Sequence, residues 1–386
     1  MTPSSIPVPE QKVRAVRVDN ERRILTAMLE RGQVSRAELA DYTGLSRTTV
    51  FEVVAELLRQ ELVVQVALAA APKTRGRPST KVALNLRTTL VAGVDIGRRH
   101  TRVVLVNAAY EVVGEGIEPA ASGSGDLVSR AEQTIRLIRK TASDNDVQLG
   151  TIRSVGVGLS GIVNVVVPQS DVSAFQSRLA EELSVTVAVA NNSRLAALAE
   201  ATWGAARGSE NALYIRWSSG IGSGSVVRGQ LLQGAHGAAG EIGHISVDPE
   251  AGRPCYCGSR GCIEMYAGID ALLSDCANAG VVLGDESELL AEARAGNTVV
   301  LDLIGHASSL LGRVVAACSV QLDPELVVVG GDIANLGEIA LAPIRQAIRE
   351  QALPNSPREV RVVPGALDSS VAARGAVALV MPSIGL

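Results

Sequence analysis

Residues 240–264 read GEIGHISVDPEAGRPCYCGSRGCIE and place one histidine and three cysteines within nineteen positions. These residues are His244, Cys255, Cys257 and Cys262. Three thiolates and one imidazole complete a tetrahedral zinc site, and the glycines and proline between them let a short loop turn all four inward. Because protein atoms then occupy all four positions, we predict a structural Zn²⁺ that holds the loop. The alternative is a loop of reduced cysteines, although free cysteines usually scatter as small core residues.

The segment that surrounds this loop resembles a known signature. Residues 213–268, which include SSGIGSGSVVRGQLLQGAHGAAGEIGH and the cysteine run, resemble the ROK family, named for repressors, open reading frames and kinases. The resemblance implies that Glu241, His244 and Glu264 hydrogen-bond the hydroxyls of a sugar, and that His244 is also a zinc ligand. Carboxylates suit this role because they accept hydrogen bonds from hydroxyl protons. For Glu264 alone, a solvated surface acid is the alternative.

Length and composition indicate a globular protein of several domains. A chain of 386 residues predicts two or three domains, and 47% hydrophobic with 20% charged residues is ordinary for proteins with sizeable cores. Aromatic residues make up only 2%, so these cores must be aliphatic and rich in alanine. The N-terminus lacks the apolar segment of a signal peptide, and no long uncharged apolar run occurs. We therefore expect no membrane partner and a cytoplasmic location, where thiols stay reduced.

The charge is distributed unevenly along the chain. Residues 1–90 hold 14 Lys and Arg against 9 Asp and Glu, a net charge of +5, whereas the whole chain has a net charge of −4. A basic N-terminal segment on an acidic remainder indicates a polyanionic partner for that segment.

Three helical segments follow one another within the basic region. The first begins at Glu21 with ERRILTAMLERG and ends at Gly32. The second, SRAELADYTG, has Ser35 as its N-cap, Glu38 at the capping-box position and Gly44 as its stop. A short helix that ends at a glycine and is followed closely by another helix predicts a helix-turn-helix.

The third segment, SRTTVFEVVAELLRQ, has the pattern of a recognition helix. Its valines and leucines recur at helical spacing and predict a buried face. A recognition helix contacts bases and phosphates from its N-terminal end, so we predict DNA contacts at Ser46, Arg47, Thr48 and Thr49. The alternative is a small three-helix packing unit without DNA contacts.

A wing follows the helices. Residues 62–66 (LVVQV) and 81–86 (KVALNL) predict two strands, and the loop between them is rich in proline, glycine and cations. Arg75 and Arg77 in its RGRP sequence have the composition of a minor-groove arm, although such a sequence is often only a solvated loop. The same arrangement precedes the sugar-binding part of ROK repressors, which this chain resembles. We therefore predict double-stranded operator DNA as the partner of residues 19–88, hereafter the head.

The remainder of the chain predicts an α/β fold. Residues 90–116 read as three strands and resemble the first phosphate loop of the actin-like ATPase fold, and residues 322–334 resemble the adenosine-side motif of the ROK family. Alternating strands and helices indicate two lobes with a ligand cleft between them. The expected fold is an actin-like, RNase H-like two-lobed domain behind an α+β winged helix-turn-helix. The predicted boundaries are a disordered tail at 1–18, the head at 19–88, a first lobe at 89–190 plus 370–386, and a second lobe at 191–369 with the zinc loop at 240–264.

One position argues against catalysis. ROK kinases use the aspartate of an Asn-Asp pair to take the proton from the attacking sugar hydroxyl, and the resemblance places Asn191 and Asn192 at that pair. An amide cannot act as this base, and losing a general base typically costs about 10²–10⁴-fold in rate. Three bulky residues, 98–100, also replace the small residues of the first phosphate loop. We expect Asn191 and Asn192 to keep sugar contacts while catalysis is lost.

The sequence thus predicts a sugar-responsive transcriptional regulator of the ROK type, acting as a homodimer or a dimer of dimers on paired half-sites. Its effector would be a sugar or a sugar phosphate. Two alternatives stay open: an ATP-dependent sugar kinase with a fused DNA-binding head, and a regulator whose cleft docks a protein instead of a small molecule.

Overall fold

The computed structural model describes residues 9–66, 80–120, 127–161, 168–351 and 360–384. In the head, three helices surround a small antiparallel sheet, and their inward aliphatic side chains form a single core. The elements of the head are α1 (Pro9–Arg31), β1 (Val34–Ser35), α2 (Arg36–Thr43), α3 (Arg47–Arg59), β2 (Val63–Val66) and β3 (Lys81–Leu84).

The caps of α2 form as the sequence predicted. The Ser35 hydroxyl accepts a hydrogen bond from the Glu38 backbone N–H at 3.2 Å, and the Glu38 carboxylate accepts one from the Ser35 backbone N–H at 2.7 Å. Gly44 ends the helix with φ of 66°, a left-handed conformation that glycine adopts without a steric penalty. The turn between α2 and α3 is therefore fixed by local chemistry.

The first helix begins earlier than predicted. The sequence pattern placed its start at Glu21 and a disordered tail at 1–18, whereas α1 extends back to Pro9. The apolar stripe begins only at Ile24, but neither glycine nor proline interrupts the chain between Pro9 and Arg31. Proline is tolerated in the first helical turn, where its missing N–H has no intrahelical partner to lose. Residues 1–8 lie outside the described residues.

The sheet of the head contains one strand that the pattern did not predict. β3 pairs antiparallel with β2, as expected for a wing, and also with the two-residue strand β1. A strand of two residues is too short to carry a detectable alternation. The wing loop at 67–79, with Arg75 and Arg77, lies outside the described residues.

The first lobe is built on a five-stranded mixed sheet. Its strands are β4 (Leu90–Ile96), β5 (His100–Asn107), β6 (Val112–Pro119), β7 (Ile152–Leu159) and β8 (Thr186–Asn191). The strand order is β6-β5-β4-β7-β8, with β4 antiparallel to β5 and parallel to β7. Helices α4 (Leu127–Asp144) and α5 (Gln169–Leu183) bury their apolar stripes against this sheet.

A short helix from the end of the chain, numbered α12 below, covers the other face of the first sheet. It spans Val371–Val380 and packs against β4 and β7. A Cβ on Gly93 or Gly156 would lie 2.0 Å from a carbonyl oxygen of this helix, so glycine permits its close approach. The helix therefore packs on the first lobe although it follows the second lobe in the chain.

The second lobe holds the other five-stranded sheet, with the order β11-β10-β9-β12-β13. The helix α6 (Asn192–Trp203) connects the two sheets and packs against strands of both. The remaining elements are β9 (Ala212–Trp217), β10 (Ile221–Val227), β11 (Gln230–Leu231), α7 (Glu264–Ala267), α8 (Ile269–Asn278), α9 (Glu286–Ala295), α10 (Thr298–Leu322), β12 (Leu326–Gly330), α11 (Glu338–Gln351) and β13 (Arg361–Pro364).

The longest helix of the second lobe, α10, is apolar enough to cross a membrane by length and composition. Half of its most apolar window is buried inside the protein. Its buried residues, which include Val300, Ile304 and Leu311, belong to the core of the second lobe and pack against α11. The helix is therefore a core element of this lobe.

The head contacts the first lobe directly. Ala108, in the turn between β5 and β6, is 1% exposed and belongs to the hydrophobic core of the head. The Glu61 carbonyl accepts hydrogen bonds at 3.0 Å from the Asn85 side chain and the Thr88 hydroxyl on the connecting segment. The junction between the head and the first lobe is therefore packed and hydrogen-bonded. The domain boundaries at residues 18, 88, 190 and 369 stay predictions.

Candidate functional site

Two strand ends of the first lobe deliver polar groups to the interlobe cleft. β4 carries Asp95 near its carboxyl end, and β8 ends at Asn191, which is followed by Asn192 at the start of α6. The carboxyl ends of parallel strands are the usual edge for a ligand in such sheets. Asn191 is held in place as the N-cap of α6, because its Oδ1 accepts hydrogen bonds from the backbone N–H groups of Ser193 and Arg194.

Glu241 joins this group from the second lobe. Its Oε1 accepts a hydrogen bond from Asn191 Nδ2 at 3.2 Å. Burial raises the pKa of the Glu241 carboxyl to about 7, against the lowering effect of the nearby Arg194. Near neutral pH this carboxyl therefore exists in both forms, so it can accept or donate a hydrogen bond.

Glu264 lies at the start of α7 and is only 7% exposed. Its Oε2 accepts the Ile221 backbone N–H at 2.8 Å, and its Oε1 accepts Arg98 Nη2 at 2.7 Å. The alternative of a solvated surface acid is therefore wrong for this residue. The carboxylate is buried, paired and directed into the cleft.

Arg98 reaches Glu264 from the turn after β4, so it spans the two lobes. Its guanidinium also lies 5.3 Å from the centre of the Tyr256 ring. Its neighbour Arg99 makes a second interlobe link, donating to Asp270 at 2.8 Å and to Glu286 at 3.3 Å. The sequence placed bulky residues in this turn but gave no sign that they cross the cleft.

The predicted metal ligands converge. One ligand atom from each of His244, Cys255, Cys257 and Cys262 can be chosen so that all four lie within 4.8 Å of one another. The Sγ atoms of Cys257 and Cys262 are 3.6 Å apart, and His244 Nδ1 is 3.5 Å from Cys255 Sγ. Tetrahedral ligands at zinc–sulfur distances of about 2.3 Å lie about 3.8 Å apart. The cluster could therefore hold a metal ion.

The two nitrogens of His244 face different partners. Nδ1 faces the cysteines, whereas Nε2 lies 3.1 Å from the Tyr256 hydroxyl at the cleft. This arrangement is compatible with one imidazole that serves both a metal and the cleft. Tyr256 was not predicted, although its place between two of the cysteines could have suggested it.

All five residues predicted to bind sugar line one cavity of about 60 Å³; they are Asn191, Asn192, Glu241, His244 and Glu264. The cavity is small for a sugar ring in the present arrangement, and it is partly open toward the cleft. Arg98 also lines it. A much larger cavity of about 780 Å³ adjoins it between the lobes and shares Arg98, Arg216 and Ser219 with it.

Asn192 is hydrogen-bonded to a buried carboxylate beside the cleft. Its Nδ2 donates to Asp95 Oδ1 at 3.3 Å, and His100 Nε2 lies 3.4 Å from Asp95 Oδ2. Burial of Asp95 opposes its ionisation, but the contacts with His100, the charge of Arg216 and the Asn192 hydrogen bond outweigh burial and lower its pKa. Asp95 is therefore a charged group behind the cleft that the sequence pattern did not single out.

The four predicted DNA contacts at the start of α3 divide into two pairs. The Ser46 hydroxyl caps α3 by accepting the Thr49 backbone N–H at 3.1 Å, and it lies 2.8 Å from the Thr49 hydroxyl. Arg47 and Thr48 are exposed at the first turn of α3, on the side away from the core of the head. The structure therefore gives Ser46 and Thr49 a capping role and leaves Arg47 and Thr48 facing outward.

The head and the two-lobed body together define a DNA-binding protein with an actin-like ligand-binding fold. The chain belongs to the ROK family, whose sequence profile matches residues 91–382, and the MarR family profile matches residues 19–70.

Relatives of known name include both kinases and regulators. The chain is 30% identical to the glucokinase of Halalkalibacterium halodurans over 286 residues, covering 68% of this chain and 86% of that one. It is 28% identical over 371 residues to the DNA-binding transcriptional dual regulator NagC of Escherichia coli strain K12, covering 90% and 89%. A solved ROK family transcriptional regulator, described as a homolog of the E. coli MLC protein, matches with a TM-score of 0.79, 26% identity and coverage of 96% and 97%. Because the two regulators match both head and body, the chain is a transcriptional regulator of the ROK type.

Proposed function

We propose that this regulator is a sugar-responsive repressor whose interlobe cleft binds a sugar or a sugar phosphate. The observation that carries the proposal is the convergence of Asn191, Glu241 and Glu264 on one small cavity with His244 beside them. Two carboxyls, an amide and an imidazole nitrogen offer both donors and acceptors, which a polyol needs in order to replace its hydration. The sugar relies on groups from both lobes, so binding depends on how the lobes are placed.

We infer that sugar binding competes with Arg98. The Glu264 carboxylate already accepts one hydrogen bond from Arg98, and Arg98 lines the small cavity into which this carboxylate points. A sugar must therefore displace the guanidinium, which removes one of the links between the lobes. A ligand can shift the lobes only through such a difference in contacts between two states. Because Ala108 ties the first lobe to the head, a change at the cleft would move the head as well.

We propose that the metal is a structural Zn²⁺ held by His244, Cys255, Cys257 and Cys262. Zinc fits this donor set because three thiolates and one imidazole complete its tetrahedral shell. Bound there, it would fix the loop and orient the His244 ring so that Nε2 remains directed to the cleft.

We propose that kinase activity is absent. Asn192 carries an amide where the related kinases need a base, and that amide donates to Asp95. The kinase alternative keeps some support, because the 780 Å³ cavity beside the cleft persists and one of the relatives is a glucokinase. Hexose-dependent ATP hydrolysis above the rate without hexose would revive it.

We further propose that the protein works in the cytoplasm, without a membrane partner, as a homodimer or a dimer of dimers. Paired heads would then read two half-sites of an operator, with a spacing set by the symmetry of the protein.

The deciding experiment measures fluorescence anisotropy of the purified protein on the DNA upstream of its own gene. Scrambled DNA of equal length is the control, and a panel of sugars and sugar phosphates is added to each. We expect sequence-preferring binding that one member of the panel shifts. Equal weak binding to both DNAs would overturn the regulator, whereas specific binding that no sugar shifts, with silent calorimetric titrations, would favour a cleft that docks a protein.

A further inference from the structure

Phe51 occupies an unusual place for this chain. The protein has only two phenylalanines, and Phe175 is buried at 2% exposure in the core of the first lobe. Phe51 is 61% exposed, the most exposed large apolar side chain among the described residues of the head. Single exposed apolar residues are common on protein surfaces, so exposure alone implies no function. The position of this residue on α3 gives it significance.

Phe51 shares the outward face of the recognition helix. It follows Thr48 by three positions and Arg47 by four, the spacings at which helical side chains are neighbours on one face. The opposite face carries Val53 and Leu57, which are both buried in the core of the head. In a helix-turn-helix the outward face of the second helix enters the major groove. Phe51 therefore lies where a side chain can meet base edges.

A second residue holds the phenyl ring in this place. The Arg36 guanidinium lies 5.5 Å from the centre of the Phe51 ring, within the range of a cation–π contact. Arg36 is the first residue of α2, and its Nε is buried without a hydrogen-bond partner in the part of the chain that the structure describes. The stacking therefore supports one side of the ring and helps to fix its orientation.

The chemistry of the major groove offers one apolar partner for such a ring. Guanine, cytosine and adenine present hydrogen-bond donors or acceptors there, and only thymine adds a methyl group. A phenyl ring forms no hydrogen bond with these groups. Packed against the other bases, it would leave donors or acceptors on their major-groove edges without a partner. The N-terminal 90 residues carry a net charge of +5, which favours DNA over another apolar protein surface as the partner.

We propose that Phe51 determines part of the operator specificity by packing against the C5-methyl group of a thymine in the major groove. This role adds a residue to the predicted contacts at Arg47 and Thr48, and it rests on the operator binding proposed above. Each half-site then contains one thymine whose methyl group is needed, next to the base or phosphate that Arg47 contacts.

The test removes single methyl groups from the DNA. An operator is first selected in vitro with the full-length protein, and each thymine of a half-site is then replaced by deoxyuridine. Replacement of this one thymine in a single half-site should weaken binding of the unchanged protein about fourfold, the effect of one buried methyl group. The same replacement should have no effect on Phe51→Ala. Arg47→Ala serves as the control, because it should bind more weakly yet remain sensitive to that methyl group.

The possible outcomes are distinct. Unchanged protein without sequence-preferring binding would contradict operator binding itself. Specific binding that ignores every deoxyuridine, or equal sensitivity in Phe51→Ala, would overturn the role of Phe51 alone. Sedimentation of Phe51→Ala as a smaller species would assign the residue to contacts between copies of the chain instead. Phe51→Leu, which keeps an apolar side chain, should retain part of the methyl dependence and guards against misfolding of the alanine variant.

Discussion

Arg98 of the first lobe donates from Nη2 to Oε1 of Glu264 in the second lobe at 2.7 Å, across 166 positions of sequence. The carboxylate is buried, whereas the Arg98 side chain keeps 42% of its exposure. The ion pair therefore joins the two lobes beside the cleft through one buried and one partly exposed partner. The group that anchors it is the same carboxylate that a sugar hydroxyl would need.

Removing the Arg98 charge should strengthen effector binding. We expect Arg98→Met to raise the affinity for the effector about fivefold, because the sugar no longer displaces a partly exposed ion pair worth up to about 1 kcal/mol. Isothermal titration calorimetry measures this change. Arg99→Met is the matched control, since Arg99 links the lobes through Asp270 and Glu286 without touching Glu264. Weaker binding by Arg98→Met would instead make Arg98 a direct ligand of the effector.

The raised pKa of Glu241 should make stability depend on pH. Because the folded protein binds this proton more tightly than the unfolded chain, Glu241 lowers the free energy of unfolding as pH rises from about 4.5 to about 7. Glu241→Gln removes this effect, so its stability relative to the unchanged protein should increase across that window by on the order of 1–3 kcal/mol.

Thermal unfolding at pH 5 and pH 8, with equal zinc content in both proteins, measures the difference for Glu241. Asp285→Asn is a suitable control, because hydrogen bonds from Ser287 and Glu288 lower the pKa of Asp285, so its stability difference from the unchanged protein should stay constant between pH 5 and pH 8. A constant difference between Glu241→Gln and the unchanged protein at both pH values would contradict the prediction.

Loss of one thiolate should empty the metal site. We expect Cys257→Ser to reduce zinc from one ion per chain to almost none, and to lower the melting temperature and abolish the sugar response, because the loop that carries His244 is no longer held. Elemental analysis and thermal unfolding provide the measurements. Cys318→Ser is the control, since Cys318 lies on α10 outside the cluster. Equal zinc content in both variants would refute the site.

Arg47 should contribute to DNA binding far more than the arginine at the other end of the same helix. We expect Arg47→Ala to weaken operator binding about 5- to 100-fold, as for loss of a base or phosphate contact. Arg59→Ala should have little effect, because Arg59 lies at the last turn of α3 and is paired with Glu56. Anisotropy at several salt concentrations distinguishes a base contact of Arg47 from a phosphate contact. Loss of a phosphate contact reduces the slope of log binding constant against log salt concentration by about one.

The features that the sequence predicted correctly depend on neighbours in the chain. Residues a few positions apart determine the capping box of Ser35 and Glu38 and the stop at Gly44. The same holds for the cluster of one histidine and three cysteines. The long resemblance to the ROK family supplied the two-lobed fold, which the profile match confirmed.

The features that the sequence did not predict depend on distant contacts. Arg98 and Glu264 belong to different lobes, and neither periodicity nor spacing states which side chains meet across a cleft. Asp95 was overlooked for the same reason, because its significance comes from Asn192 and His100 around it. The early start of α1 at Pro9 reflects good helix formers without an apolar stripe, a pattern that resembles a solvated tail.

The two nitrogens of the His244 ring would link the proposed sugar to the proposed metal. If Nδ1 holds the metal while Nε2 meets the sugar, each partner orients the imidazole for the other. By linkage, a sugar that binds the metal-loaded ring more tightly must raise the retention of the metal by the same factor. At low zinc the protein would then bind less of a sugar that is plentiful, and at high sugar it would keep more of its zinc.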